Sequence, residues 1–435
     1  MKQIILKVQV LVVAWAIVVV NSVHAADPVS SPTNSAAVTN QVTLDELVNE
    51  ALAKNPELNF YRAEIAAAKG ERKTAGALPN PEAEVDLGQK RVSDSHPGFS
   101  GEGLAWSVSV SQSFEYPGRL ALRKAIANKQ VELAALGLAQ FKSALASRVR
   151  NLGYALFISQ QKAQSAQEVA ARGQELIDVL VQRESAGVAP LLETRVLEAT
   201  TITLNRRASE AVKAAQSALF ELNQLRGQPL ASILVVKKED LRFPALQSIE
   251  DILTVAATNN FELRMRQVEL AQQGFKVELS KNERWPAIKL VPFYTQDKAA
   301  DVERTVGVGI SVPLPIWNRN TGNIQVAQAR QEQAATSLLL SERQIERDLR
   351  ERYLTYQTRL AEMSHWRTNV IDQFREAAEL GDRHYRLGAL PISTYVELQE
   401  KYLEAQEAIL ATQAETIESL QQLELLVGTP LSYAK

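Results

Sequence analysis

The chain has 435 residues, with 48 Lys and Arg against 50 Asp and Glu, a formal net charge of -2 and no cysteine. Nearly balanced charge leaves no basic surface that would invite nucleic acid. The lack of thiols excludes disulfides and an acylated N-terminal cysteine as a lipid anchor.

In chain order, Lys2 and Lys7 flank the start of an apolar run, Val8 to Val20, followed by the small-residue site Val23-His24-Ala25. This pattern reads as a secretory signal peptide over residues 1–25, too short for a membrane span. Its removal takes the formal charge to -4. Residues 26–42, rich in Ser, Thr, Pro, Asn and Ala, read as an extended leader. Beyond the signal no apolar stretch approaches the ~20 residues of a membrane helix, so a mature chain that enters a membrane must do so as β-strands.

The rest is written twice. Thr43-Leu44-Asp45-Glu46-Leu47 returns as Ser248-Ile249-Glu250-Asp251-Ile252, an offset of 205. Val108 to Phe114 returns as Val308 to Leu314, an offset of 200, and Gly227-Gln228-Pro229-Leu230 as Gly428-Thr429-Pro430-Leu431, an offset of 201. A first repeat over residues 43–230, a linker over 231–247, a second repeat over 248–431 and a short tail over 432–435 follow.

Proline placement maps the helices, because an interior proline costs about 3 kcal/mol. The proline-free windows Arg119–Ser185 and Arg319–Leu387 predict helices on the order of 100 Å long at 1.5 Å per residue. Their return helices, Leu191–Arg226 and Ile392–Val427, are about half as long, and Leu44–Leu78 and Ile249–Glu283 supply the missing length. Each long helix is therefore expected to pack against two shorter ones stacked end to end. Leu197, Leu204, Ala211, Ala218 and Leu225 recur every seven residues, as do Val396, Leu403, Leu410 and Ile417, which predicts coiled-coil seams.

Strands are expected between the helices. Trp106, Val108, Val110 and Phe114 alternate with Ser107, Ser109, Ser111 and Ser113, and Val306 to Leu314 repeats the pattern with glycine and serine. Glu82–Leu87 and Ala287–Tyr294 precede them, with Pro292 expected to cause a bulge or an early end. Arg91–Gly103 reads as the connecting loop. Trp106, Tyr116, Trp285 and Trp317 stand at or near strand ends, as an aromatic belt would. A soluble sheet with one buried face would alternate in the same way; the signal peptide, the aromatic flanks and the shortage of other sheet favour a membrane. Four strands cannot close a membrane barrel and cannot leave open edges in lipid, so several protomers must share one barrel.

These residues resemble the TolC family of outer-membrane efflux channels over essentially the whole mature chain. The resemblance lies in the duplicated element order, Leu78 to Glu82, Phe114-Glu115-Tyr116-Pro117-Gly118-Arg119, Val312 to Asn320, Tyr385-Arg386-Leu387-Gly388 and Leu426-Val427-Gly428. The Pro-Leu-Pro and Glu-Tyr-Pro-Gly-Arg junctions are most similar to the heavy-metal (CzcC/CusC-like) branch. The family implies a mainly α-helical chain with four transmembrane strands, a homotrimer with a twelve-stranded barrel in outer-membrane lipid, and a helical barrel across the periplasm. It also implies docking to a periplasmic adaptor (membrane fusion) protein and to an inner-membrane resistance–nodulation–division pump.

Gly187 and Gly388 suit the left-handed residue that ends a helix, and Pro190 and Pro391 the start of the next. With Val188, Ala189, Leu387, Ala389 and Leu390 they form hairpin tips that either dock the adaptor or pack among neighbouring hairpins. Family members close the periplasmic end through polar positions that match Glu193 in the first repeat, and Thr394 and Glu397 in the second. Tyr385 matches the family's linking tyrosine, with Glu193 as its partner, and Leu390 replaces an arginine. A ring of Glu397 would attract cations; as solvated helix charges, Glu193 and Glu397 would be ordinary.

The pattern supports no enzyme: His96, His365 and His384 are scattered, and no nucleophile triad, phosphate loop, cofactor motif or metal-ligand spacing occurs. A passive conduit need not bind its cargo. Metal cations are the first expectation for that cargo, with drugs or organic solutes second. A periplasmic coiled-coil adaptor or scaffold is the remaining alternative.

Overall fold

The computed structural model describes residues 41–93, 100–185, 191–237, 243, 245–299, 301–366 and 369–431. The signal peptide, all but the last two leader residues, His96, the tip Gly187-Val188-Ala189-Pro190 and the tail lie outside the described residues.

The elements come in one order, twice. The first series is β1 (Gln41–Val42), α1 (Leu44–Lys54), α2 (Glu57–Ala75), β2 (Glu82–Ser93), β3 (Ser100–Phe114), α3 (Arg119–Ser185) and α4 (Leu191–Leu225). The second is β4 (Val235–Val236), α5 (Ile249–Asn259), α6 (Phe261–Asn282), β5 (Ile288–Lys298), β6 (Val302–Ser311), α7 (Thr321–Ser364), α8 (Val370–Arg386) and α9 (Ile392–Val427). The repeated starts act as caps. The Thr43 hydroxyl accepts from the Glu46 N–H while the Glu46 carboxylate accepts from the Thr43 N–H, and Ser248 accepts from the Asp251 N–H. The end of the expected leader is a strand, since β1 pairs in parallel with β4 in the linker.

Three expected helices are broken, each for a local reason. Leu44–Leu78 is two helices because Pro56 pushes Asn55 out of the helical region, to ψ 122. Ile249–Glu283 divides at Asn260, ψ 125, whose side chain accepts the Leu263 N–H and so starts a new helix. Both asparagines also donate across the corner, Asn55 to the Leu225 carbonyl at 3.0 Å and Asn260 to that of Leu426 at 2.6 Å. Whereas α3 runs unbroken for 67 residues, its counterpart stops at Ser364 and resumes as α8 after Asn369, which has φ 64. There Ser364 bonds back to the Ala361 carbonyl, and His365 and Trp366 bond three residues back, so the helix tightens and ends in a run of weak helix formers.

Long helices need lateral partners, and α3 finds them in α2, α4, α6 and α9, while α7 lies along α6 and α9. Near the strands the helical layer therefore runs α2, α3, α6, α7. The seams hold: Leu197, Leu204, Ala218, Leu225, Leu403, Leu410 and Ile417 are buried, with Ala211 and Val396 half-buried. Each repeat has its own corner core, Leu47, Val149 and Leu222 in one and Leu349, Tyr356 and Leu423 in the other.

The strands form one antiparallel sheet in the order β2-β3-β5-β6. Glu82 opposes Ser111 in the first hairpin, and Lys289 opposes Ser311 in the second. The strands extend into the expected loop, through Arg91 to Ser93 and from Ser100 to Gly103. Pro292 does not end its strand. It stays opposite Val308, and the cost falls on the other side, where the β3–β5 ladder lapses at Val110 and Ser111. Val312 to Leu314 lie beyond β6. Opposed residues share a face, so Val85, Leu87, Trp106, Val108, Val110, Leu290, Tyr294, Val306, Val308 and Ile310 line one side. Of these, Val306 is 79% exposed and Leu87 75%. Glu82, Glu84, Asp86, Ser107, Ser109, Thr295, Asp297 and Glu303 line the other. On that side Lys90 of β2 reaches Asp297 at 2.9 Å and Glu303 of the far edge strand β6 at 2.7 Å. Such reach across the sheet requires it to curl with the polar face inside. Among the described residues, no helix is long and apolar enough to cross a membrane.

Candidate functional site

At the end of the helices remote from the sheet, α3, α4, α8 and α9 converge on a small core of Leu176, Ile177, Leu180, Leu197 and Tyr395. The turn from α8 to α9 follows from its glycine. Gly388 has φ 73, its N–H bonds to the Tyr385 carbonyl and the Ala389 N–H to that of His384, which together make a Schellman ending. Pro391 then leads into α9. Leu387 stands 81% exposed at the tip, and Ala389 and Pro391 are also exposed, whereas Leu390 packs on the core. The apolar side chain at 390 thus adds to the packing of the tip.

Of the polar positions, Tyr385 and Glu193 are brought together from 192 residues apart, the phenol donating to the carboxylate at 3.3 Å. The Tyr385 ring stacks on Tyr395 at 5.3 Å. Thr394 is half-buried and Glu397 exposed, both near the start of α9. Sequence reasoning missed Arg386, which bonds Asp382 at 2.9 Å on its own helix and Glu175 of α3 at 3.2 Å. The Asp382–Arg386 spacing of four is legible in a sequence, but the partnership with Glu175 is not. It also missed Tyr395, which burial pushes well above the usual tyrosine range, with Asp382 adding to the effect. The tip is poorly satisfied, since Arg172 Nη1, Thr194 Oγ1, Asp382 Oδ1 and Gln399 Oε1 are buried without a hydrogen-bond partner. A packed interface with such vacancies is held less firmly than the apolar corners.

Two helical hairpins lie below a curled sheet that is apolar on one face and polar on the other. Residues 252–429 match the family model described as outer membrane efflux protein.

Curated relatives match over more of the chain, across both repeats. The pyoverdine export outer membrane protein OpmQ of Pseudomonas aeruginosa is 23% identical over 389 residues, covering 84% of this chain and 80% of its own. The cobalt-zinc-cadmium resistance protein CzcC of Cupriavidus metallidurans is 23% identical over 313 residues, 71% of either chain. The solved outer-membrane channel OprN shares the fold with a TM-score of 0.71 at 17% identity, over 88% of this chain and 89% of that one. The fold is thus TolC-like and the location the outer membrane, and the family and fold that the chain matches are those of channels.

Proposed function

We propose that three protomers close one twelve-stranded barrel in the outer membrane, continued by a helical conduit through which cargo leaves the cell passively. The observation that carries this reading is the sheet, whose exposed apolar face needs lipid and whose edges β2 and β6 need partners. Strand directions alternate across it, so β6 of one protomer can pair antiparallel with β2 of the next. Edge helices carry matching apolar surface: Phe60 of α2, Ile202 and Phe220 of α4, Leu340 and Leu354 of α7 and Phe374 of α8 are exposed. A periplasmic adaptor and an inner-membrane resistance–nodulation–division pump complete the system, the pump supplying the energy. The tips dock the adaptor through Leu387, Gly388, Ala389, Leu390 and Pro391, with Gly187, Val188, Ala189 and Pro190 as their counterpart. The Tyr385–Glu193 bond and the positions Thr394 and Glu397 serve as the periplasmic gate.

Heavy-metal cations are the proposed cargo. The inner face of the sheet carries Glu82, Glu84, Asp86, Asp297 and Glu303 against Lys90 and Lys289, an acidic lining that favours cations. The likeness to CzcC supports the same assignment. The likeness to OpmQ, over more of the chain, favours an organic solute as the second reading. Deleting the gene and measuring sensitivity to zinc, cobalt, cadmium, copper and a drug panel decides between them. Unchanged metal tolerance with new drug sensitivity would reject the metal reading.

A further inference from the structure

We propose that protomers join in a register set by the internal duplication, with Val308 of β6 opposite Leu87 of the next copy's β2, Gly309 opposite its Asp86, and Ile316 against its Leu78. This rests on the multi-protomer channel reading and gives its interface a geometry.

The two hairpins are copies in register. Glu82 opposite Ser111 becomes Lys289 opposite Ser311, a shift of 207 for the leading strand and 200 for the returning one. Val85 opposite Val108 becomes Pro292 opposite Val308 by the same shifts. A second kind of joint links the hairpins, returning strand β3 to leading strand β5, with Val108 opposite Tyr294 and Ser109 opposite Phe293. The strands left to make that joint again are β6 and β2, which are the edges of the sheet. Applying the shifts to the internal joint places Val308 opposite Leu87, Gly309 opposite Asp86 and Val312 opposite Ala83 of the next copy.

Chemistry checks a register that geometry alone produced. Val308 and Leu87 are 64% and 75% exposed and share the apolar face, while Gly309 and Asp86 share the polar one. A slip of one residue would set Val308 against Asp86 and turn a carboxylate toward lipid. The counterpart of Pro292 in β2 is Val85, which has the N–H that proline lacks. The joint between protomers can therefore form rungs that the internal joint misses.

The corner below the strands follows the same rule. Within the protomer Tyr116 stacks on Trp285 at 5.6 Å, and Arg119 donates to the carbonyls of Asn282 and Trp285. The counterparts of Tyr116 and Trp285 are Ile316 and Leu78, 60% and 64% exposed. They lie on the edge elements, where the next copy would cover them.

The chain has no cysteine, so introduced thiols are the only ones. Full-length variants purified from membranes in detergent are sized by light scattering, oxidised with copper–phenanthroline and run on non-reducing gels. Leu87→Cys with Val308→Cys, Asp86→Cys with Gly309→Cys, and Leu78→Cys with Ile316→Cys should yield covalent dimers and trimers. Val85→Cys with Val308→Cys, displaced by two residues, should yield at least about tenfold less, since Cα atoms beyond ~7 Å cannot be bridged. A multimer in which the displaced pair joins instead, or in which no pair joins, overturns the register and leaves the channel reading standing. Strand pairs that join without the corner pair overturn the Ile316–Leu78 contact and assign that corner to lipid. A monomer by light scattering sinks the channel reading itself.

Discussion

Two glycines at equivalent helix ends offer a test with a built-in control. Gly428 and Gly227 follow α9 and α4 with φ 80 and φ 63, so any side chain at either meets left-handed strain of about 1–2 kcal/mol. Their surroundings differ. A Cβ on Gly428 would lie 2.4 Å from the Asn259 carbonyl oxygen and 2.9 Å from its carbon, whereas one on Gly227 would lie 3.0 Å from the Lys54 oxygen. The first is a backbone clash that only a shift of the corner can relieve, and that shift strains the Asn260–Leu426 hydrogen bond, worth a further ~1–3 kcal/mol where buried. Gly428→Ala should therefore destabilise by about 2–5 kcal/mol and Gly227→Ala by about 1–2 kcal/mol. Urea unfolding of the detergent-purified protein, followed by far-ultraviolet circular dichroism, gives both midpoints in one background. Coincident midpoints, or a lower one for Gly227→Ala, would refute the reasoning, because the left-handed strain is common to both sites.

Three further outcomes are expected. Burial would raise the Glu50 carboxyl, but hydrogen bonds from Lys54, Gln228 and Arg226 outweigh it and bring it down to about 2. Because the folded pKa is depressed, this contribution is complete above the ordinary value of 4.5 and vanishes as pH falls toward 2; solvent screening holds it to about 1–3 kcal/mol. Glu50→Gln should lower stability at neutral pH and flatten its loss between those limits, and an unchanged acid profile would contradict this. Tyr385→Phe removes the bond to Glu193, worth about 0.5–1.5 kcal/mol, and should raise the open fraction of the channel in planar bilayers by roughly 2- to 10-fold. A conductance trace identical to the parent's would exclude that bond from gating. Glu397→Ala should weaken cation preference at low salt, measured as the reversal potential under a salt gradient, and the difference should shrink as salt is raised.

Much of this architecture was written in residue order. Period-two alternation placed Val108 and Val308 on an apolar face, proline-free windows located the long helices, and heptads named buried seams, because these signals act over a few residues. Tyr385 and Glu193 could be paired only through a family pattern. What local signals mis-stated were breaks: Asn260 divides a helix by capping the Leu263 N–H, and its further bond to the Leu426 carbonyl, far along the chain, appears only in the fold. Pro292 keeps its strand because the lost rungs fall on one side only. Arg386 joins α8 to α3 through Glu175, 211 residues away, and no spacing announces that. The sequence by itself determined the duplication, the two-sided strands and the long helices, since each depends on neighbours within a turn or a pleat. Only the tertiary structure decided which strands are left as edges, which face curls inward and which charges meet at the tip, because those depend on where distant segments come to rest.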